Sequence, residues 1–478
     1  MSPVLQPSTH LLSNKEIKKT DVHIGIIGAG LAGLRAARHF EENGVRYTIL
    51  EGSGRIGGRV YPFEYEDGFL HHGAEYVNGL DNEICDIVKK RALGVERVSD
   101  LYMLDDNAVT VIDGKIVDRE IISSWNIFVE SLESILYQEA ETCQKGQAAI
   151  PRLDAHFKSF LERTEIAKAN SDIFLMLKKL YYNFFQVEWA SIKELSLENW
   201  TRWDAGTEIE DSMVLNKFGF QKILEEFKNG ISMKNVMLNS KVININYGGE
   251  KVRVRLEDNA DLHFDHVIVT SSLGYLKRHS EKMFSPQLPT EKQEAIEGMG
   301  FGSTMKVLLE YDKSWWPENV STIQVAASSN DAKTSKLTDN LMVFQPSSWA
   351  PNILVAWLAD HGPIEVAILN DRELLDTMNN YLEQQLGGEF SVRRAKRVFR
   401  HSWIDDEFAL GSYSYLKSTS NIYHGDILEE LAKPLTINEK PLVCFAGEHT
   451  SSKMYQTTVG AAESGLREAE QILNFYMN

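Results

Sequence analysis

The sequence predicts an α/β protein whose parallel sheet begins near the N-terminus, and three observations carry that expectation. A β-branched apolar run at residues 22–27 is followed by Gly28, Gly30 and Gly33 in GxGxxG spacing, then by a helical pattern and a second strand-like run. Further buried-strand patterns recur far downstream, at residues 267–270 and 441–445, with helical stretches between. The composition, 43% hydrophobic and 25% charged over 478 residues, is that of an ordinary globular chain long enough for two or three domains.

Charge and cysteine usage narrow the class. With 68 Asp and Glu against 50 Lys and Arg the net charge is −18, which disfavours a general nucleic-acid binder and leaves room for a cationic partner. Cys85, Cys143 and Cys444 are far apart and have no metal-ligand spacing, so neither a disulfide framework nor a metal site is expected. Residues 1–20 are polar and predicted to be a flexible tail without a secretory pattern. There is no apolar run of about 18 residues and no peroxisomal C-terminal tripeptide. A cytoplasmic location, with a nuclear one open, is the resulting expectation, with no membrane partner.

The first unit reads strand 22–27, helix 31–43 closed near Gly44, and strand 46–50 ending in Glu51. Gly28 permits the tight turn, Gly30 lets a pyrophosphate approach the backbone, and Gly33 allows close helix–strand packing. The helix N-terminus would face the phosphate charge, and Glu51 would accept hydrogen bonds from ribose hydroxyls. Arg55 and Arg59, on the glycine turn at 57–58, suit further phosphate contacts because a guanidinium fork matches phosphate oxygens.

From the dinucleotide motif into this GGR turn, the sequence resembles the flavin-containing amine oxidase family. The resemblance implies non-covalently bound FAD and a Rossmann-like α/β domain of the GR2 type, with an inserted α+β substrate-binding domain. Residues 71–79, HHGAEYVNG, are similar to the family's flavin-edge segment, and so Gly73, Ala74, Glu75 and Tyr76 are expected beside the flavin ring. Residues 81–205 are mostly helical by pattern, and the aromatic run at 181–189 reads as core. Gly219 opens an amphipathic helix with Ile223, Leu224 and Phe227 on one face. Residues 240–247 and 251–256 form a hairpin, where the family implies Val242 near the adenine.

Residues 301–311 read as one strand carrying a single lysine, Lys306. Such a lysine is usually solvent-facing; the resemblance instead implies a catalytic lysine near flavin N5. The C-terminal stretch, FAGE then TT-x-GA, is characteristic of the same family. It implies Gly447 and Glu448 on the cofactor, with Thr458 and Val459 opening a helix aimed at the flavin N1/O2 region. Trp403 and Tyr413 are expected as aromatic walls near the ring.

The details resemble polyamine oxidases more than other members. Residues 403–415 carry no cysteine to tether FAD, and at 478 residues no room is expected for the extra domains of histone demethylases. Thr457 and the stretch holding Glu194 and Ser196 look like spermine-oxidase substrate contacts. Asn78 stands where animal relatives place histidine and plant relatives glutamate, which leaves the substrate register open. The resemblance implies hydride transfer from spermine, spermidine or N-acetylated forms, an imine hydrolysed to aldehyde and amine, and O2 reduced to H2O2. A monoamine or amino-acid oxidase and a silent FAD-bound scaffold stay open as alternatives. The expected FAD domain is discontinuous, residues 21–80, 206–282 and 435–478, with 81–205 and 283–434 as the substrate domain. Oligomeric state is left undetermined.

Overall fold

A computed structural model describes residues 21–99, 104–189, 192–204, 211–327, 337, 339, 341–418 and 425–477. The expected tail at 1–20 lies outside the described residues. A six-stranded sheet runs in the order Val236–Met237, Arg46–Leu50, His23–Ile27, His266–Val269, Lys440–Phe445, Leu435–Ile437. All neighbouring pairs are parallel except the last. The central strands are buried nearly throughout, as expected where helices cover both faces.

The first helix, Leu31–Glu42, stops one residue short of the expected end, with Asn43 as its cap. Its apolar face packs on the C-terminal helix, Thr458–Phe475. Their approach is backbone on backbone: a Cβ at Gly465 would stand 2.0 Å from the Ala32 carbonyl oxygen. Beside this sheet, Val242–Asn246, Val252–Leu256 and Asp261–Phe264 form an antiparallel meander, the predicted hairpin plus one strand. Gly219–Asn229 buries Ile223, Leu224 and Phe227 as predicted.

A second, seven-stranded sheet is mixed, ordered Arg397–Arg400, Met305–Glu310, Ile353–Leu358, Leu341–Pro346, Ile323–Ala326, Val109–Ile112, Lys115–Ile116. Helices Arg119–Ala140, Ile150–Arg163 and Ser171–Trp189 form an aromatic-rich layer against it, with Tyr181, Phe184 and Phe185 in its core. The stretch at 301–311 is not one strand. Gly300–Phe301 pairs with Ser414–Tyr415, and the chain then bends, Gly302 N–H donating to the Tyr413 carbonyl and Thr304 N–H to Ser412 Oγ. Met305–Glu310 follows, hydrogen-bonded on both sides and buried at every residue.

Gly465→Ala is expected to destabilise the fold by about 1–3 kcal/mol, the usual cost of overpacking, because neither backbone can retreat. Urea unfolding with an unchanged midpoint would contradict this close-packing account.

Candidate active site

The glycine loop behaves as its spacing predicts. Gly28 has φ +105°, a backbone conformation that side chains rarely adopt. A Cβ at Gly33 would stand 2.0 Å from the Gly28 carbonyl oxygen, so the helix can lie on the strand only without a side chain there. Beside Gly30 there is open space, with nothing within 4 Å of an added Cβ. Glu51 closes the loop: its carboxylate accepts from Ala29 N–H at 2.7 Å and from Ser53 N–H and Oγ at 2.8 and 2.7 Å. Ser240 N–H donates to the Glu51 carbonyl, which places the start of the Val242 strand against the same loop. Val242 itself is buried.

The two arginines of the GGR turn separate. The Arg55 guanidinium lies 3.7 Å from the centre of the Tyr61 ring, a cation–π contact, and burial lowers its pKa. Arg59 donates to the Ser412 carbonyl at 2.5 Å and to Glu448 Oε1 at 3.0 Å. The other oxygen of Glu448 accepts from Ser414 Oγ at 2.6 Å and Gln456 N–H at 2.8 Å. Burial opposes the charge of Glu448, but Arg59 and Ser414 outweigh it, and its pKa is lowered. Gln456 is held at φ +74° and Gly447 at +126°.

The C-terminal helix starts at Thr458, with Thr457 as its cap: Thr457 Oγ1 accepts from Gly460 N–H and donates to the Met454 carbonyl. At this helix start the buried Thr458 hydroxyl and, on the preceding loop, His449 Nδ1 have no hydrogen-bond partner. Val459 is buried behind them.

The 73–78 segment runs from the GGR turn to the second sheet, and its Tyr76–Asn78 part pairs with Asp211–Leu215 in a separate small sheet. A Cβ at Gly73 would stand 1.8 Å from the Arg59 carbonyl and 3.0 Å from the Trp403 ring, so the Gly73 backbone lies directly on the GGR turn. Ala74 N–H donates to that carbonyl at 3.3 Å, and Trp403 Nε1 donates to the His72 carbonyl at 3.3 Å. Glu75 reaches the second sheet, where its Oε2 accepts from Lys306 Nζ at 2.6 Å. Tyr76 OH and Trp357 Nε1 both donate to Gln345 Oε1, at 2.8 and 3.2 Å, which fixes the two rings nearly parallel, at 28°, with centres 6.4 Å apart. Lys306 Nζ lies 5.3 Å from the Trp357 ring centre.

Lys306 is 3% exposed, so the solvent-facing expectation for a strand lysine does not apply. Strand periodicity explains where it points. Lys306, Leu308 and Glu310 share one face, which meets Tyr65 and Leu70 of the hairpin Pro62–Tyr65/Gly68–His71. Met305, Val307 and Leu309 face the opposite core.

The residues expected at the substrate are more dispersed. Asn78 Nδ2 donates to Ser212 Oγ at 3.1 Å on the strand Asp211–Leu215, and its own strand packs against the C-terminal helix. Glu194 pairs with Lys417 and accepts from Tyr415 OH, each at 3.1 Å, and remains half-exposed. Ser196 is fully buried and donates to Glu198. Tyr413 is part-buried beside the Gly302 bend. Ser53, Ser414, Gln345 and Trp357 escaped the sequence reading. Ser53 bonds Glu51 two residues away and was locally legible, whereas the partners of Ser414, Gln345 and Trp357 stand 12 to 269 residues away, where no short motif marks them. Among the described residues no cluster of His, Cys, Asp or Glu could hold a metal ion, and no helix is long and apolar enough to cross a membrane.

A family model described as flavin containing amine oxidoreductase matches residues 31–473. The chain belongs to that family. Membership makes it an amine oxidoreductase and implies a flavin cofactor. The chain is 25% identical to a probable polyamine oxidase 5 of Arabidopsis thaliana, covering 95% of this chain and 98% of the relative. It is 26% identical to a peroxisomal N(1)-acetyl-spermine/spermidine oxidase of Bos taurus, covering 94% of each. It is also 24% identical to the human lysine-specific histone demethylase 2, covering 94% of this chain and 53% of the relative.

The residues present fit a dinucleotide flavin. The space beside Gly30, the carboxylate at the end of the second strand and the unpartnered Thr458 hydroxyl at a helix start are what such a group needs. Arg59→Met is expected to cost about 3–5 kcal/mol at neutral pH, because it strands a buried carboxylate. The lowered pKa of Glu448 means that the pair stabilises above the free carboxyl value of about 4.3 and stops doing so as pH falls through the folded value. The gap between variant and parent should therefore narrow in acid. A gap equally wide in urea titrations at pH 7 and pH 2.5 would refute this.

Proposed function

We propose that this protein is a FAD-dependent polyamine oxidase acting on spermine, spermidine or their N-acetylated forms, with O2 as the final acceptor. The observation that carries the reading is a buried lysine, Lys306, brought to the glycine segment at 73–76 and shielded by paired aromatic rings. Family membership gives the reaction class, and polyamine-oxidising relatives aligned over nearly their whole length favour the substrate class.

Bound FAD supplies a two-electron acceptor for the amine's α-carbon. The chain's contribution is to hold and orient. Gly30 and the first helix would take the pyrophosphate, and Glu51 the ribose. Arg55 and Arg59 would lie along the phosphate side, with Val242 near the adenine. Gly73, Ala74, Glu75, Tyr76 and Trp403 would line the ring, and the start of the last helix, with Gly447, Glu448, Thr458 and Val459, would face its N1/O2 edge. No cysteine among Cys85, Cys143 and Cys444 lies in the 403–415 stretch, and so we assign the flavin as non-covalent. Lys306 would hold a hydrogen-bonded water at the redox centre. Asn78, Glu194, Ser196, Tyr413 and Thr457 are the proposed substrate side.

The purified protein should be yellow, should release its flavin on acid precipitation, and should form peroxide with at least one polyamine. The decisive panel contains spermine, spermidine, N-acetylspermine, benzylamine, an L-amino acid and a peptide bearing methylated lysine. Peroxide from benzylamine, the amino acid or the peptide alone would replace the polyamine reading. Silence across the panel with flavin bound would favour a scaffold. Lys306→Met should slow turnover or reoxidation by about 10²-fold with flavin still bound, within the range usual for a positioned proton-transfer group. Loss of flavin in that variant would refute a local role.

A further inference from the structure

The ion pair between Glu75 and Lys306 holds two residues 231 positions apart, and its two members are unequally placed. Lys306 is 3% exposed, whereas the Glu75 side chain keeps 25% of its surface. A lone ammonium at the depth of Lys306 would be strongly disfavoured and would tend to lose its proton. Glu75, nearer solvent, carries its own charge at less cost. We propose that Glu75 is the positioning residue that keeps Lys306 protonated and aimed at the redox centre, and so sets the pH range in which that lysine works. This rests on the oxidase reading above.

Among the described residues, the surroundings leave Glu75 as the group able to do this. On the lysine's own strand, Glu310 is taken by Arg397 and Tyr65. The neighbouring strand Ile353–Leu358 contributes the Trp357 ring and no titratable group. On the other side, Arg397 is paired with Glu310 and Arg400 with Asp371. The hairpin end brings His71 and His72, both pushed down by burial, to about 4 and about 3, so neither is charged near neutrality. Burial lowers the pKa of Lys306 itself, and Glu75 is the group that opposes it.

The pairing has a chemical consequence for an amine oxidase. An unpaired ammonium beside the reacting carbon would repel a cationic substrate. Paired with Glu75, the lysine presents little net charge, yet an ammonium has three N–H donors and Glu75 need engage only one. The clamp of Tyr76 and Trp357 by Gln345 fixes the segment that carries Glu75, so the carboxylate is presented from a set position.

The test uses full-length protein with E75Q, E75D, K306M and E75Q/K306M. In flavin-free protein, urea unfolding at pH 7 should show E75Q less stable than the double variant, because removing the stranded lysine relieves the defect. In flavin-loaded protein, the flavin is reduced with dithionite and mixed with oxygen, a reading that needs no amine substrate. The alkaline limb of the reoxidation rate should move to lower pH by about one unit or more in E75Q, tenfold in the protonation equilibrium. E75D should restore most of it, and K306M should abolish the limb. Additive stabilities together with superposable pH profiles for E75Q and parent would overturn the proposal. If these shifts appear while no amine is oxidised, the pair stands and the polyamine reading falls.

Discussion

The structure depends most on one buried carboxylate. Glu448 binds Arg59 from the N-terminal glycine turn, Ser414 from the strand paired with Gly300–Phe301, and the backbone of Gln456 just before the last helix. Three segments separated by tens to hundreds of residues are thereby fixed to one another at a single point. Gln456 sits at a positive φ that a non-glycine residue adopts only when its surroundings compel it. The carboxylate's bond to its N–H supplies that compulsion and sets the chain direction into Thr457, the helix cap. Removing one polar atom here would loosen the turn, the bend and the helix start together.

Among the described residues two lysines are buried, and they are held differently. Lys292, 1% exposed, donates to the carbonyls of Glu430, Leu431 and Lys433 at the end of helix Ile427–Ala432, and burial pushes its pKa down to about 7. Carbonyl dipoles satisfy its protons, a structural arrangement at a helix C-terminus. Lys306 instead meets a full opposite charge that enters from the loop just before the strand Tyr76–Asn78. A carboxylate supports a proton more strongly than carbonyl dipoles do, which suits a group required to stay charged in a dry place. The distinction separates a lysine that caps a helix end from one held by an ion pair, although both are buried.

Local physics made much of this legible in sequence. The βαβ unit, its three glycines and the amphipathic helix at Gly219 follow from spacing over a few residues, and each is found where the pattern puts it. The strand at 301–311 was legible only in part, because its break depends on Tyr413 and Ser412, a hundred residues onward. The burial of Lys306 is a property of sheet pairing: two flanking strands and a hairpin on its face exclude water, and none of these is adjacent in sequence. The arginines show the same limit. Spacing locates Arg55 and Arg59 on one turn but cannot say that one stacks on Tyr61 while the other crosses to Glu448.

These pairings also define what the net charge of −18 can do. At the centre the charges cancel, Arg59 with Glu448 and Lys306 with Glu75, and farther out Glu194 is offset by Lys417. A cationic amine thus meets no uncompensated carboxylate among these groups. Excess acidity at the surface is screened by physiological salt beyond roughly 8 Å. It can speed the encounter of a polycation with the protein and make that rate salt-dependent. It cannot choose among amines once one is inside. Under the proposed site assignment, choice there would rest on shape, on the fixed rings of Tyr76 and Trp357, and on neutral hydrogen-bonding groups such as Asn78. Discrimination by fit rather than by charge would then follow from pairing Arg59 with Glu448 and Lys306 with Glu75.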